Sequence, residues 1–465
     1  MALPSRVQKV LDEWNVEYTL SNRGSDSLQS SVFNMPGISE NTAQLALLED
    51  EHGRVQVIYP ASRILDLNKV QALTTRQLTP VSKDKLDQIK RGLNLDAIPA
   101  LPQVTGLETY VDESLLSLPL LHMALSEDEH LEIPISDFQT LASSARVGDY
   151  CAEIPQLSLP SGVWSDQDVA QINRAVQNFT QLRIHQRLEE TLDMPPMPET
   201  AQKIIDLRMD ENAETEELAK LVGQDPGLAA QVISWANSPY YGISGTITNV
   251  QEAVIRVLGF DLVINLALGL SLGRTLSVPK DGPQGYTPFW QQSVYTAAMM
   301  AEMVRALPPG DRPSQGMAYL CGLLHNFGFL ILGHVFPPHF TLVSRHIEAN
   351  PQINRYYIEQ HLMGITREQI SSNLFKQWGI PEEVCTAIRY QNEPGYGGEH
   401  STLSRMLYVA TRMLRQHGLN DAPYEGVPQN LAEQLQLDLT KVEMGLEKVL
   451  ESKDDLQEMA RQLNG

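Results

Sequence analysis

Between Met194 and about Leu276, helix start and stop signals follow one another so closely that a run of short helices is the arrangement that satisfies them. In GQDPGLAAQVISWANSPYYG, Asp225 is placed to cap a helix whose first residue is Pro226, since proline brings a preset φ and has no N–H to leave unpaired. Leu228, Val232 and Trp235 then fall on one face. The helix is expected to stop at Asn237-Ser238-Pro239, because the residue before a proline is pushed out of the α region. In TNVQEAVIRVLGFD, Thr248 and Gln251 have capping-box spacing, Ala253, Val254, Val257 and Leu258 form an apolar stripe, and Gly259 closes the turn. Two helices should therefore meet at a short corner.

PPMPETAQKII, DPGLAAQVISWANSPYYG, ITNVQEAVIRVLG and CGLLHNFGFLIL occur in that order and at a spacing that closely resembles the HDOD domain, the HD-related output domain of bacterial signalling proteins. The resemblance covers roughly residues 190 to 400. It implies an all-α domain acting as an output or adaptor module, through protein contacts or a bound ligand. Family members are linked with motility, biofilm behaviour, gene expression and cyclic-dinucleotide pathways.

A chain of 465 residues exceeds what one core usually covers, so two or three domains are expected. The net charge of −22 opposes unspecific approach to nucleic acid or anionic lipid. Partners are therefore expected among proteins and small ligands. Cys151, Cys321 and Cys385 are widely separated and form no even-numbered framework or CxxC pair, which suits a reducing cytoplasm and leaves no cysteine zinc site. The apolar run Leu262 to Leu272 is broken by Asn265 and too short to cross a bilayer. The N-terminal pattern, with Val7, Val10, Leu11 and Trp14 in one stripe, reads as an amphipathic helix rather than a signal peptide.

Residues 1 to 150 read as a mixed α/β domain. VQVIY at Val55 to Tyr59 is strand-like, PLLHMAL and HLEIPI read as a hairpin around Ser126 to Glu129, and VSKDKLDQIKRGL as a helix capped by Ser82. The order VIYPASRILDLNKVQAL, PALPQVTGLETYVDESLLSLP, hairpin is similar to the YbaK-type domain associated with aminoacyl-tRNA synthetases. That resemblance implies deacylation of mischarged tRNA, of the prolyl-tRNA type. The family's catalytic lysine, however, corresponds here to Gln44 in AQLALL, and an amide carries no charge to hold the ester or a phosphate. Glu127, Asp128 and Glu129 fall near the loop that should admit the tRNA end and would repel its backbone. Twelve Lys plus Arg against twenty-one Asp plus Glu in residues 1 to 150 make tRNA an unfavoured partner.

Residues 151 to 190 read as a Pro/Ser-marked linker and a connector helix from a Ser165 cap, with Val169, Ile172, Val176, Phe179 and Ile184 as its stripe. Residues 401 to 465 form a helical tail, in which Val442, Leu446, Val449, Leu456, Ala460 and Leu463 have 4,3 spacing interrupted at Lys453. Packing on the protein's own core is favoured over a coiled coil. A homo-oligomer stays open, because the connector could equally be a dimer seam.

An HD-type phosphohydrolase holds one or two metals with a histidine, a later His-Asp pair and a final aspartate. By the resemblance these positions fall here on Gln292, His325-Asn326 and Thr411. Neutral Asn326 cannot supply the bridging anion, so no metal, no cofactor and no catalytic residue is expected. Gly269 to Gly273 matches GxSxG but sits in a helical pattern without a preceding strand, so it offers no exposed nucleophile. Trp235, Tyr240, Tyr241 and Trp290, with His325, are candidate ligand or partner contacts; filling the corner between helices is the equal alternative.

The expectation is an α+β multidomain protein: a YbaK-like domain over 1–150, a connector over 151–190, an all-α HDOD domain over 191–400 and a helical tail over 401–465. Its function is expected to be non-catalytic regulation through a signalling partner, with a small-molecule or cyclic-dinucleotide ligand open. The alternatives are residual prolyl-tRNA-type deacylation and a residual metal-dependent HD phosphohydrolase.

Overall fold

The structure, a computed structural model, describes residues 3–22, 41–126, 129–155, 167–175, 196–210, 212–242, 244–310, 312–419, 421–423 and 425–463. Helix α1 (Ser5–Glu13) buries Val7, Val10 and Leu11. Trp14, expected in the same stripe, is 41% exposed because the helix has already ended at Glu13. Strands β1 (Thr19–Asn22), β2 (Ala43–Asp50), β3 (Gly53–Pro60), β4 (Arg63–Leu65) and β5 (Thr79–Pro80) enclose α2 (Leu67–Thr74). After α3 (Lys83–Leu93) and α4 (Pro102–Thr105) come β6 (Glu108–Asp112), β7 (Leu120–Ala124), β8 (Glu129–Pro134), α5 (Ile135–Leu141), β9 (Arg146–Gly148) and β10 (Cys151–Glu153). Ser82 precedes α3 but its hydroxyl makes no capping bond.

The main sheet has the order β5-β2-β3-β6-β9. β2 and β3 are an antiparallel hairpin, Ala43 opposite Pro60 and Asp50 opposite Gly53, while β6 runs parallel to β3. β7 and β8 pair as the expected hairpin and β1 joins them as a third strand. β10 pairs with β4, so the α/β domain extends a few residues beyond 150.

Helix α6 covers 167–175. Its buried side carries Asp168 and Ala175, and Val169 is 48% exposed, which corrects the expected stripe. The reason is an ion pair: Asp168 accepts two bonds from Arg389, at 2.5 and 3.0 Å, and turns that face inward. Ser165, Val176, Phe179 and Ile184 lie outside the described residues.

Among the described residues from 196 onward every regular element is helical. α7 (Glu199–Arg208) and α8 (Thr215–Gly223) precede α9 (Pro226–Ala236), which begins as expected, with Asp225 accepting from the Leu228 N–H and Pro226 at the first position. The cap of α10 (Val250–Ala253) lies one residue later than expected. Asn249 accepts from the Glu252 N–H at 2.8 Å, and Glu252 reaches back to the Thr248 N–H at 3.0 Å. A π turn over Val254–Leu258 follows and ends at Gly259, whose φ of +79° glycine adopts without strain.

α11 (Phe260–Gly273), α12 (Phe289–Val304) and α13 (Gln315–Leu324) form the centre, buried on nearly all sides. α13 approaches α12 backbone to backbone at Gly322, where a Cβ would stand 2.5 Å from Ala297 Cα. Gly269 and Gly273 of the GxSxG match lie inside α11 and admit Leu323 and Trp290. α14 (Phe327–Val335), α15 (Pro337–Ala349), α16 (Arg355–Met363), α17 (Arg367–Gln377) and α18 (Glu382–Arg389) wrap this centre. α19 (Ser401–Gln416), α20 (Gln429–Gln434), α21 (Leu439–Glu451) and α22 (Lys453–Arg461) complete the same hydrophobic core. The tail stripe packs on α12, and its spacing breaks at Ser452 between α21 and α22. Gln315–Val335 is long and apolar enough to cross a membrane, but 89% of its most apolar window is buried inside the protein.

The two parts are joined by specific bonds. Asn350 accepts from the Leu65 N–H (2.7 Å) and donates to the Leu65 carbonyl (3.0 Å), completing the free edge of β4 as a strand would. The Tyr59 hydroxyl donates to the Ala349 carbonyl at 2.8 Å. His346 Nδ1 donates to the Leu342 carbonyl, which leaves Nε2 to accept the Leu67 N–H at 3.0 Å. His361 Nε2 stands 2.9 Å from Asp66 Oδ2. Burial pushes the Asp66 carboxyl up, but the adjacent His346 and His361 imidazoles, the latter donating from Nε2, and the Asn68 N–H outweigh burial and hold it well below the usual carboxylate range.

Candidate functional site: a cavity walled by arginines

The chain changes direction between α13 and α14, and Asn326 occupies the break with φ −108° and ψ 19°. That break aims its amide at the first turn of α12. Asn326 Nδ2 donates to Gln292 Oε1 at 2.8 Å, and Gln292 Nε2 donates to the Thr287 carbonyl at 2.5 Å. Arg367, at the start of α17, donates from Nη1 to Asn326 Oδ1 at 3.1 Å. Two of the positions singled out in the sequence, Gln292 and Asn326, thus meet, with a guanidinium against them.

Thr411 does not join them. It is buried on α19 and its hydroxyl donates to the Leu407 carbonyl at 2.8 Å. The acid on that side is Asp421, in the loop after α19. It accepts from Arg355 Nε at 2.9 Å and from Arg415 Nη2 at 2.8 Å. Arg355 Nη1 stands 2.8 Å from Glu368 Oε1, and Arg367 Nε donates to Glu359 Oε1 at 2.5 Å. Burial raises the Asp421 carboxyl, yet Arg415 and Arg355 outweigh burial and hold it far below the usual range. Glu368 is likewise held down against burial by Arg355 and Arg367.

His325 is 3% exposed and does not line the cavity. Its Nδ1 donates to the Gly322 carbonyl at 2.7 Å, and burial lowers the imidazole to about 4, so it is neutral near pH 7. It is a hydrogen-bonded core residue.

Gln292, Asn326, Arg355, Arg367 and Asp421 line a cavity of about 220 Å³ whose remaining wall is the loop 278–288 with Phe289 and Phe329. These residues do not fit a divalent metal. The donor positions hold neutral amides, the one lining carboxylate is held by two guanidinium groups, and fixed positive charge repels a cation. Among the described residues no group of three His, Cys, Asp or Glu side chains is placed to hold a metal.

Three of the aromatic candidates are core residues, not contacts. Trp235 is fully buried and donates from Nε1 to the Tyr319 hydroxyl at 2.8 Å. Tyr240 is buried with its hydroxyl 3.2 Å from Glu302, and Trp290 fills the space above Gly273. They turn inward because their partners lie on neighbouring core helices: Tyr319 on α13, Glu302 on α12 and Gly273 on α11. Tyr241 is half-buried, edge-on to Tyr240 at 5.1 Å.

In the α/β domain Gln44 lies opposite Tyr59 in the β2–β3 register, and directly paired residues share a sheet face. Tyr59 is buried beneath α15, which also packs on β2 and β5. The helical domain therefore covers the face that carries Gln44.

Sequence reasoning missed Arg355, Arg367 and Asp421. The available signal for the arginines was an Arg with a Glu beside it or one turn on, Arg355 and Glu359 in RYYIEQH and Arg367 and Glu368 in GITREQI; none marked Asp421.

Comparison with known proteins agrees with both halves. The HDOD domain model matches residues 194–394, and the aminoacyl-tRNA editing domain model matches 38–141. A crystal structure from Marinobacter aquaeolei VT8, of a protein assigned provisionally to signal transduction, superposes with a TM-score of 0.87 at 39% identity, covering 100% of both chains. An HDOD domain protein of unknown function from Geobacter sulfurreducens matches at 21% identity and a TM-score of 0.48, over 62% of this chain and 99% of its own. An uncharacterized protein of Treponema pallidum (strain Nichols) is 25% identical over 240 residues, 51% of this chain; the match spans 45% of that relative's length. The chain belongs to the HDOD family, and carries an aminoacyl-tRNA editing domain ahead of its HDOD domain.

Proposed function

We propose that the protein is a non-catalytic regulatory output protein of the bacterial cytoplasm, whose HDOD domain acts by binding a small ligand and by contact with a protein partner. The observation that carries this reading is Arg367 Nη1 at 3.1 Å from Asn326 Oδ1. A guanidinium fixed there supplies positive charge but neither an open coordination position nor an acidified water, the two things metal-assisted hydrolysis needs. The covered face around Gln44 supports the same conclusion for the editing domain, which serves as a docked partner domain instead of a deacylase. The provisional signalling assignment of the Marinobacter protein agrees with a regulatory role.

The test uses the full chain with manganese, iron or magnesium added. Phosphomonoester and phosphodiester hydrolysis and release of amino acid from mischarged prolyl-tRNA are measured side by side, and all are expected at background. Metal-dependent hydrolysis lost in Asn326→Ala, or deacylation lost in Gln44→Ala, would overturn the reading.

A further inference from the structure

The charges around the cavity are unevenly placed. Lys280, Arg355 and Arg367 line it, against the single acid Asp421. Glu359 and Glu368, which pair with the two arginines, are not among the lining residues and are fully buried behind them. The two arginines are therefore charge-paired from behind and offer the cavity donor geometry, while Lys280, unpaired among the described residues, adds a lining charge in a chain whose net charge is −22. Arg355 and Arg367 are 2% and 3% exposed, and each has an unused donor edge. Nε and Nη1 of Arg367 are engaged by Glu359 and Asn326, and those of Arg355 by Asp421 and Glu368; neither Nη2 donates to an acceptor among the described residues. Lys280 is exposed at the rim and has no ion-pair partner among the described residues. Phe289 and Phe329 complete the wall with ring planes 13° apart, and the Arg367 guanidinium lies over the Phe329 ring at 5.4 Å from its centroid.

Guanidinium donors that meet no protein acceptor on a cavity wall are free to meet an acceptor that enters the cavity. From this geometry we propose that the cavity binds a small phosphate monoester. The phosphate would take the Nη2 edges of Arg355 and Arg367 with Lys280 closing over it, and a compact flat body would lie along Phe289 and Phe329. A tetrahedral anion accepts donors converging from α16, α17 and the loop 278–288, and Lys280 supplies a charge opposite to its own. A volume of about 220 Å³ falls below that of drug-sized pockets, which excludes a cyclic dinucleotide lying wholly inside. The proposal rests on the reading of this domain as a binding module and names what it binds.

Isothermal titration of the full chain with phenyl phosphate and with inorganic phosphate, at matched ionic strength and with a chelator present, tests it. Saturable binding is expected, tighter for phenyl phosphate. Gln292→Glu, which places a carboxylate in the wall, and Lys280→Glu, an exposed position that leaves the fold intact, should each weaken it roughly tenfold or more, the scale of one charge-assisted hydrogen bond. Absence of saturable heat, or affinity unchanged in both variants, would overturn the proposal while leaving the non-catalytic reading standing. Binding that appears only when a divalent metal is restored, together with turnover, would overturn both.

Discussion

Asn350 offers the sharpest test of how the two domains are held. It is fully buried at the end of α15, and its amide serves the Leu65 N–H at 2.7 Å, the Leu65 carbonyl at 3.0 Å and the His346 carbonyl at 2.8 Å. Asn350→Leu keeps the volume and removes all three bonds. With the domains still docked, the Leu65 N–H and carbonyl would be left buried without partners, at about 1–3 kcal/mol each. That total of roughly 2–6 kcal/mol is of the same size as what the Tyr59–Ala349 and Asp66–His361 bonds together contribute, about 0.5–1.5 and 1.5–3 kcal/mol. Docking should therefore be greatly weakened, and the docked state should open often enough for water to solvate the edge of β4. Calorimetry should then show the α/β domain melting apart from the helical domain, lower by roughly 5 °C or more. Limited proteolysis should cut between residues 155 and 196 faster than in the parent. A melting profile and cleavage rate indistinguishable from the parent would refute the claim that Asn350 clamps β4.

His325 predicts a pH dependence of definite sign. Its folded value is about 4, below the ordinary value near 6.5, so the unfolded chain binds the proton first and stability falls as pH falls through that window. Its share between pH 7 and 5 is about 2 kcal/mol, which denaturant titrations of the parent and His325→Gln would read as a shallower acid slope in the variant. Asp66 has the same sense in a more acidic window. Its carboxyl is held low, so the stabilisation it gives the docked state is present above about pH 4 and lost only in stronger acid. Asp66→Asn should weaken docking at pH 7, and proteolysis at that pH would detect it. Gly322→Ala should cost about 1–3 kcal/mol or more, read by chemical denaturation, because the new methyl meets the Ala297 backbone and not a side chain that can swing away.

What the sequence disclosed and what it hid divide along the length scale of the interactions. The Asp225–Pro226 start of α9 and the Gly259 turn are set within a few residues, and both occur where expected. The cap of α10 moved by one residue because Thr248 and Asn249 are both competent and only Glu252, reaching back to Thr248, decides between them. Trp235, Tyr240 and Trp290 could not be told from surface contacts, since the partners that bury them, Tyr319, Glu302 and Gly273, lie on other helices. The arginine wall is further out of reach: Arg355 meets Asp421 across 66 residues and Arg367 meets Asn326 across 41. That Gln292 and Asn326 carry no charge could be read from residue type alone, but which groups stand beside them could not. The docking of Asp66 against His361, 295 residues away, had no local signature.

The central claim is that guanidinium groups hold the place of metal ions beside Asn326. Crystals of the full chain soaked in manganese and measured at the manganese absorption edge test it most directly. No anomalous peak is expected within coordination reach of Gln292 and Asn326, with Arg367 Nη1 on Asn326 Oδ1 as before. A manganese peak bonded to Asn326 with Arg367 swung aside would contradict it.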